Sequence, residues 1–278
     1  MSRRPKKKEP MPVSDGRKAI LPHPLLQSVI FSVARRGYGG EGLASMIIER
    51  RNAWGDSISI SSPRPLLARP DMGVFLAVTA LVQKNGFEPL VGQESEKYSG
   101  KIWSRIPLSE LYDLTGMRRS RSREALFESL EALGGTSIVV RYADRKRHGG
   151  AAGVALSSFW DFKLIPRRGR GGSVINFFPA DFLIPRKYYL WADAGICNSL
   201  RQDTARAIFW ALLCREHFAG TIAEWQQLVG GGDSNPWRWR DKRFLPALEE
   251  LATKGYKIQD KDGIYVISRP KKEALGGS

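Results

Sequence analysis

The chain has 278 residues, with 44 Lys and Arg against 28 Asp and Glu, giving a formal charge of +16 and a pI near 10.1. This length suggests two domains of ordinary size, each able to bury a core, and the charge favours a polyanionic partner, DNA or RNA ahead of an anionic membrane. The longest mostly apolar run, Gly73 to Val82, is about half of the ~20 residues that a membrane-spanning helix needs, so no span is expected.

Residues 1 to about 20 carry Arg3, Arg4, Lys6, Lys7 and Lys8, and Pro10, Pro12, Pro22 and Pro24 break any signal-peptide apolar core, so a cytoplasmic location is expected. The segment reads as a flexible basic tail, which either adds non-specific DNA affinity or is simply solvated. Leu25 to Ala34 has the pattern of a short amphipathic helix, and Ser57 to Ser61 alternates as a strand. Asp71 is the expected N-cap of a helix through Lys84 that buries Val74, Phe75, Val78, Leu81 and Val82.

Ile102 to Ile106 then reads as a strand, Ser109 as the cap of a short helix with Leu111 and Leu114, and Ser120 as the start of a longer one. In that longer helix Leu126, Leu130 and Leu133 form the buried stripe, while Arg121, Glu124 and Glu128 face outward. Arg118, Arg119 and Arg121 at its start are candidate phosphate contacts. Ser137 to Tyr142 and Val154 to Ile165 read as a β-ribbon whose tip carries Arg145, Lys146 and Arg147. That tip is either a charged loop or a wing reaching a DNA backbone or minor groove, where Arg is favoured electrostatically. Val174 to Phe178 supplies a further strand.

The last seventy or so residues repeat this order of elements. Gln202 to Phe218 places Ala205, Ile208, Phe209, Leu212 and Leu213 on one side of a scaffold helix, and Ala223 to Val229 forms a shorter helix with Trp225 and Leu228. Asn235 as N-cap and Pro236 at the first position open a third helix to about Lys254. At roughly 100° per residue, Phe244, Leu248, Leu251 and Ala252 share a core face with Trp237 near it, whereas Arg238, Trp239, Lys242 and Arg243 point outward. After Gly255, Tyr256 to Gln259 and Ile264 to Ser268 flank Lys261-Asp262-Gly263, and Asp-Gly is among the strongest two-residue hairpin signals. This is the order of a winged helix with a cationic recognition helix. Arg presents a planar fork suited to guanine or phosphate, and a helix in the major groove projects its N-terminal half at base edges.

No chemistry-bearing motif competes with that reading. No G-x-x-x-x-G-K-[ST] string is present to wrap nucleotide phosphates, and His23, His148 and His217 are too dispersed for a His-x-His metal pair. Cys197 and Cys214 match no zinc spacing and read as reduced thiols, with Cys214 packed in the scaffold helix. Neither enzymatic activity nor a cofactor or metal is expected.

The segment Ser199 to Lys272 resembles the plasmid replication initiators of the RepC/TrfA group, with most likeness to the RepC proteins of IncQ-type plasmids. Leu200, Asp203-Thr204-Ala205-Arg206, Leu248, Leu251, Gly255, Tyr265, Ile267, Arg269, Pro270 and Lys271 carry the likeness. Over Trp54 to Phe178 it rests on element order and on the helix Arg121 to Leu133 followed by Ser137-Ile138-Val139-Val140. The resemblance implies an α+β fold of two tandem winged-helix domains behind the tail, with boundaries at residues 1–20, 21–185 and 186–278. It implies binding to direct repeats (iterons) in double-stranded origin DNA, opening of the origin and loading of a replicative helicase, with primase and a homodimer off DNA as further candidate partners. The alternative is a winged-helix repressor acting on its own promoter. The candidate DNA-binding residues are Arg118, Arg119, Arg121, Arg145, Lys146, Arg147, Asn235, Arg238, Trp239, Lys242, Arg243 and Lys261.

Overall fold

Helix α1 (Asp71–Asn85) is buried on every side from Asp71 to Gln83, because no charged residue follows Asp71 until Lys84 and a helix that is apolar all round must be surrounded. The expected single stripe is therefore too narrow: Leu76, Ala77 and Ala80 are buried along with Val74, Phe75, Val78, Leu81 and Val82. The computed structural model describes residues 15–22, 31, 46–51, 57–90, 102–117, 120–141, 153–156, 159–166, 172–179, 189–229 and 235–270. Asp71 is the first residue of the helix rather than its cap. Its fully buried carboxylate accepts hydrogen bonds from Arg64 Nη1 at 2.6 Å, Arg64 Nη2 at 2.8 Å and the Leu67 amide at 2.7 Å. This two-pronged pair sits where the helix dipole favours a negative charge and holds the Arg64 guanidinium above its ordinary pKa range.

Strand β1 (Lys18–Pro22) runs antiparallel to β10 (Tyr189–Asp193), so the expected tail ends before residue 20. Ala19, Ile20 and Leu21 are buried, and Gln83 on α1 both accepts from the Ile20 amide (2.7 Å) and donates to its carbonyl (2.8 Å). The rest of the first half holds β2 (Met46–Arg51), β3 (Ser57–Ser62), β4 (Glu88–Pro89), β5 (Ile102–Pro107), α2 (Leu108–Thr115), α3 (Ser120–Gly134), β6 (Ser137–Arg141), β7 (Gly153–Leu156), β8 (Trp160–Ile165) and β9 (Val174–Pro179). They form two antiparallel sheets of order β2-β3-β6-β7 and β4-β5-β9-β8. The stripe of Leu126, Leu130 and Leu133 is buried. Pro107, not Ser109, occupies the cap position of α2.

The ribbon expected over Val154 to Ile165 divides into β7 and β8, which belong to different sheets. Phe159 and Trp160 are consecutive and both buried, which strand alternation cannot satisfy. Both rings instead pack on Phe75 of α1, at 4.9 and 5.9 Å between centroids. The expected helix over Leu25 to Ala34 lies outside the described residues except for Phe31, which packs edge-on against Trp210 at 5.1 Å.

The second half contains α4 (Ala194–Ser199), α5 (Asp203–Ala211), β11 (His217–Gly220), α6 (Ile222–Leu228), α7 (Pro236 to Ala252), β12 (Lys257–Lys261) and β13 (Ile264–Ser268). The scaffold helix is shorter than expected and gives way to β11. Phe218 then packs edge-on against Trp225 at 4.7 Å, and Thr221 with Glu224 forms a capping box for α6. Asp262 and Gly263, with φ of 53° and 83°, make the left-handed pair that a tight β12–β13 hairpin needs. The sheet order is β11-β13-β12. In the first half the corresponding strand, β5, pairs with β9 and not with the β6–β7 ribbon, so element order recurs while strand pairing differs.

The halves share one core. Trp210 of α5 meets Phe75 at 6.2 Å, and Gly73 lets α4 approach α1, since a Cβ there would collide with the Asn198 side chain. Arg206, 4% exposed, donates from Nε to the Leu200 carbonyl (2.8 Å) and from Nη2 to that of Asn198 (3.3 Å). Burial lowers its pKa, and the same effect raises Asp203, one turn away, above the usual carboxylate range.

Helix α7 is not regular. Pro236–Trp239 and Leu245–Ala252 are α-helical, whereas Arg240–Phe244 forms a wider π-helical turn. In a regular helix Trp237 precedes Phe244 by about two turns and would share its face, while Trp239 would lie about 140° away. The wide turn exchanges them: Trp239 is 1% exposed and stacks on Phe244 at 5.1 Å, while Trp237 is 69% exposed. Trp239 is thus a core residue and is removed from the DNA-contact candidates. Ala252, expected on the core face, is exposed.

Two stability outcomes follow. Arg64→Ala leaves Asp71 buried without its cation and should cost about 3–5 kcal/mol in urea unfolding; a loss under about 1 kcal/mol would mean that Leu67 alone satisfies the carboxylate. Trp239→Ala should cost about 3–5 kcal/mol, whereas Trp237→Ala should stay within about 0.5 kcal/mol of the parent. The reverse order would show that α7 is regular.

Candidate nucleic acid interface

Asn235 starts α7 by accepting the amide hydrogens of Trp237 (3.0 Å) and Arg238 (3.2 Å) on its side-chain oxygen, and Pro236 follows at the first helical position. Its oxygen is therefore committed to the helix end, and Asn235 acts as a positioning residue. Arg238 and Lys242 are exposed, and neither charged end forms an ion pair among the described residues. Arg243 is half-buried, and its charge acts on the Asp203 carboxyl at the head of α5. These positions give the outer face of α7 two exposed cations with a third beside them.

Arg240 connects this face to the β12–β13 hairpin, the wing that the sequence reading expects. Its Nε donates to Tyr265 Oη at 2.9 Å, which raises the Arg240 pKa, and its Nη1 pairs with Asp241 at 3.3 Å. The same guanidinium lies 5.7 Å from the Trp237 ring centroid, within cation–π range. Tyr265 is in β13 and 3% exposed, and its ring meets Phe244 edge-on at 5.2 Å. Beneath it, Trp225 Nε1 donates to the Tyr265 carbonyl at 3.0 Å. Lys261 ends β12 beside the hairpin turn and is exposed. The wing therefore carries its own cation and is tied to α7 through Tyr265.

In the first half, α3 begins at Ser120, so Arg121 lies in its first turn, while its side chain is outside the described residues. Arg118, Arg119, Arg145, Lys146 and Arg147 also lie outside the described residues. Glu124 and Glu128 are exposed on α3, as expected. Reading the sequence alone missed Arg240 and Tyr265, because the link joins α7 to strand β13, 25 residues further along the chain. The signal available was the Trp237-Arg238-Trp239-Arg240 alternation, which no single helical face accommodates.

Cys197 is fully buried in α4, and burial pushes its thiol up to about 12. Cys214 lies beyond the end of α5 and is only partly buried, so it is Cys197 that packs within a helix. Tyr256 is likewise raised to about 12 by burial. Among the described residues no group of three or more His, Cys, Asp or Glu is placed to hold a metal ion, and no helix is long and apolar enough to cross a membrane.

No known protein family matches the chain, and no curated protein matches it. Among solved structures it is similar to the crystal structure of RctB domains 2-3, with a TM-score of 0.53 and 11% identity over 86% of this chain and 95% of that one. A selenomethionine-derivative structure of RctB domain 2 and domain 3 gives 0.52 and 10% over 87% and 95%. The Pi initiator protein in complex with iteron DNA aligns at 0.45 and 12%, over 74% and 91%. The fold relation is read from the RctB pair: this chain is a mixed α+β protein with the fold of RctB domains 2-3.

Proposed function

We propose that this chain is a replication initiator of the RepC-like kind that binds direct repeats in double-stranded origin DNA. The observation that carries the reading is the outer face of α7, where Arg238 and Lys242 stand exposed, with no ion pair among the described residues, at the N-terminal half of a helix braced by a wing. That half is the part a recognition helix presents to base edges in the major groove. Arg238 is suited to a guanine edge and Lys242 to a phosphate, with Lys261 reaching the flanking backbone from the wing. Four further supports are the +16 charge, the fold shared with RctB domains 2-3, the resemblance of Ser199 to Lys272 to the RepC/TrfA initiators and the recurrence of element order in both halves.

Two unequal reading units in one chain, residues 21–185 and 186–278, suit direct repeats engaged by a monomer, with the second unit held at high effective concentration once the first is bound. The chain acts without catalysis: it opens the adjoining origin segment and recruits the replicative helicase in the cytoplasm, with primase and a second copy off DNA as further partners.

Fluorescence-anisotropy titration across a salt series checks the assignment, using origin duplex from the replicon that encodes the chain and random duplex of equal length. Arg238→Ala should weaken binding to the repeats by about 1–3 kcal/mol and leave random duplex nearly unaffected. Lys242→Ala and Lys261→Ala should weaken both duplexes alike and each reduce the salt slope by about 1. Equal losses on both duplexes for Arg238→Ala would remove it from base reading. A preference for inverted over direct repeats would favour a repressor.

A further inference from the structure

We propose that Trp237 reads thymine in the bound duplex by apolar contact with its C5-methyl group, an inference that rests on the DNA-binding reading above. Trp237 is 69% exposed, the most exposed large hydrophobic side chain among the described residues. Its place is the first turn of α7, one residue before Arg238, on the segment that the proposed docking presents to base edges. Leaving an indole in water forgoes the apolar burial that every large aromatic of the adjacent core obtains. The surrounding charge favours one occupant: Arg238, Lys242 and Lys261 are exposed cations, and a polyanion is what such a rim accepts.

The ring is also held in place before any ligand arrives. Tyr265 Oη fixes Arg240 at 2.9 Å, and the Arg240 guanidinium lies over one face of the indole at 5.7 Å from its centroid. Intercalation between base pairs would set a base against both faces of the ring, and the Arg240 charge stands on the side of one of them. What remains is one face and an edge, a rigid apolar surface of the kind that meets a methyl group. In the major groove only thymine offers one, since its C5-methyl distinguishes it from the other bases. Arg240 and Tyr265 are thus positioning residues for Trp237, and the wing strand contributes to base choice without touching a base.

The test compares origin repeats synthesised with thymine and with uracil in its place, which removes the methyl and keeps the pairing edge. The full-length protein and Trp237→Ala are titrated on both by anisotropy, with random duplex as reference. Full-length protein should lose about fourfold in affinity on the uracil repeats, the factor for one buried methyl. Trp237→Ala should bind both repeats equally with unchanged thermal unfolding, and Trp237→Phe, with a smaller ring, should keep part of the discrimination. Thymine and uracil repeats bound equally by the full-length protein, with both preferred over random duplex, would overturn the thymine contact and leave the DNA-binding reading standing. No preference for either repeat over random duplex would overturn both. Concentration-dependent self-association that Trp237→Ala abolishes, with repeat binding and thymine discrimination unchanged, would assign the indole to a second copy of the chain and overturn the proposal.

Discussion

The aromatic stack centred on Phe244 is the constraint on which the candidate interface depends. Trp239 lies on Phe244 face to face, while Trp225 and Tyr265 meet it at 5.8 and 5.2 Å, so α6, α7 and the wing converge on one ring. A core of fixed rings allows few arrangements, because interiors are close-packed and overlap is costly. To seat both Trp239 and Phe244 inward, five residues apart, the helix must widen by a residue between them, and the Arg240–Phe244 turn does so. The widening turns Trp237 to solvent and sets Arg240 beside Tyr265. The exposure of Trp237 and the place of Arg240 are therefore consequences of how the buried face of α7 is packed.

The structure departs from the sequence reading where that packing acts. Element order along 102–141 and 194–268 was legible from apolar spacing and from local signals that act alone: the Asn235-Pro236 start, the Asp262-Gly263 turn and the leucine stripe of α3. The exchange of Trp237 and Trp239 was not, because a constant angle per residue has no place for a wide turn. Nor was the division of β7 from β8, which arises from Phe159 and Trp160 both finding Phe75 across the core. Strand β1 was hidden in a basic segment, since its pairing partner β10 lies some 170 residues onward. The exposure of Arg238, Lys242 and Lys261 was legible from the helical angle and the hairpin turn, whereas the link between Arg240 and Tyr265 required the fold.

Helix α1 gives the molecule a second organising centre. Being apolar on all sides, it must be enclosed, and elements from both halves enclose it: β1, α4, α5 and the β8 aromatics. Its two polar ends are satisfied individually, Asp71 by Arg64 and Gln83 by the Ile20 backbone. Arg206 adds a polar tie between the halves, its Nη1 donating to the Ala68 carbonyl at 3.5 Å. The two proposed reading units, held in this way, would present their helices at a set spacing, a geometric basis for recognising repeats of one orientation.

Methylation interference across the origin tests the central claim most directly, because methylating guanine N7 blocks the major-groove acceptor that Arg238 is proposed to use. Interference is expected at guanines that recur in the same orientation with the period of the direct repeats, with its loss at one guanine per repeat in Arg238→Ala. Binding that is indifferent to guanine methylation, or interference without that repeat period, would contradict major-groove reading by α7.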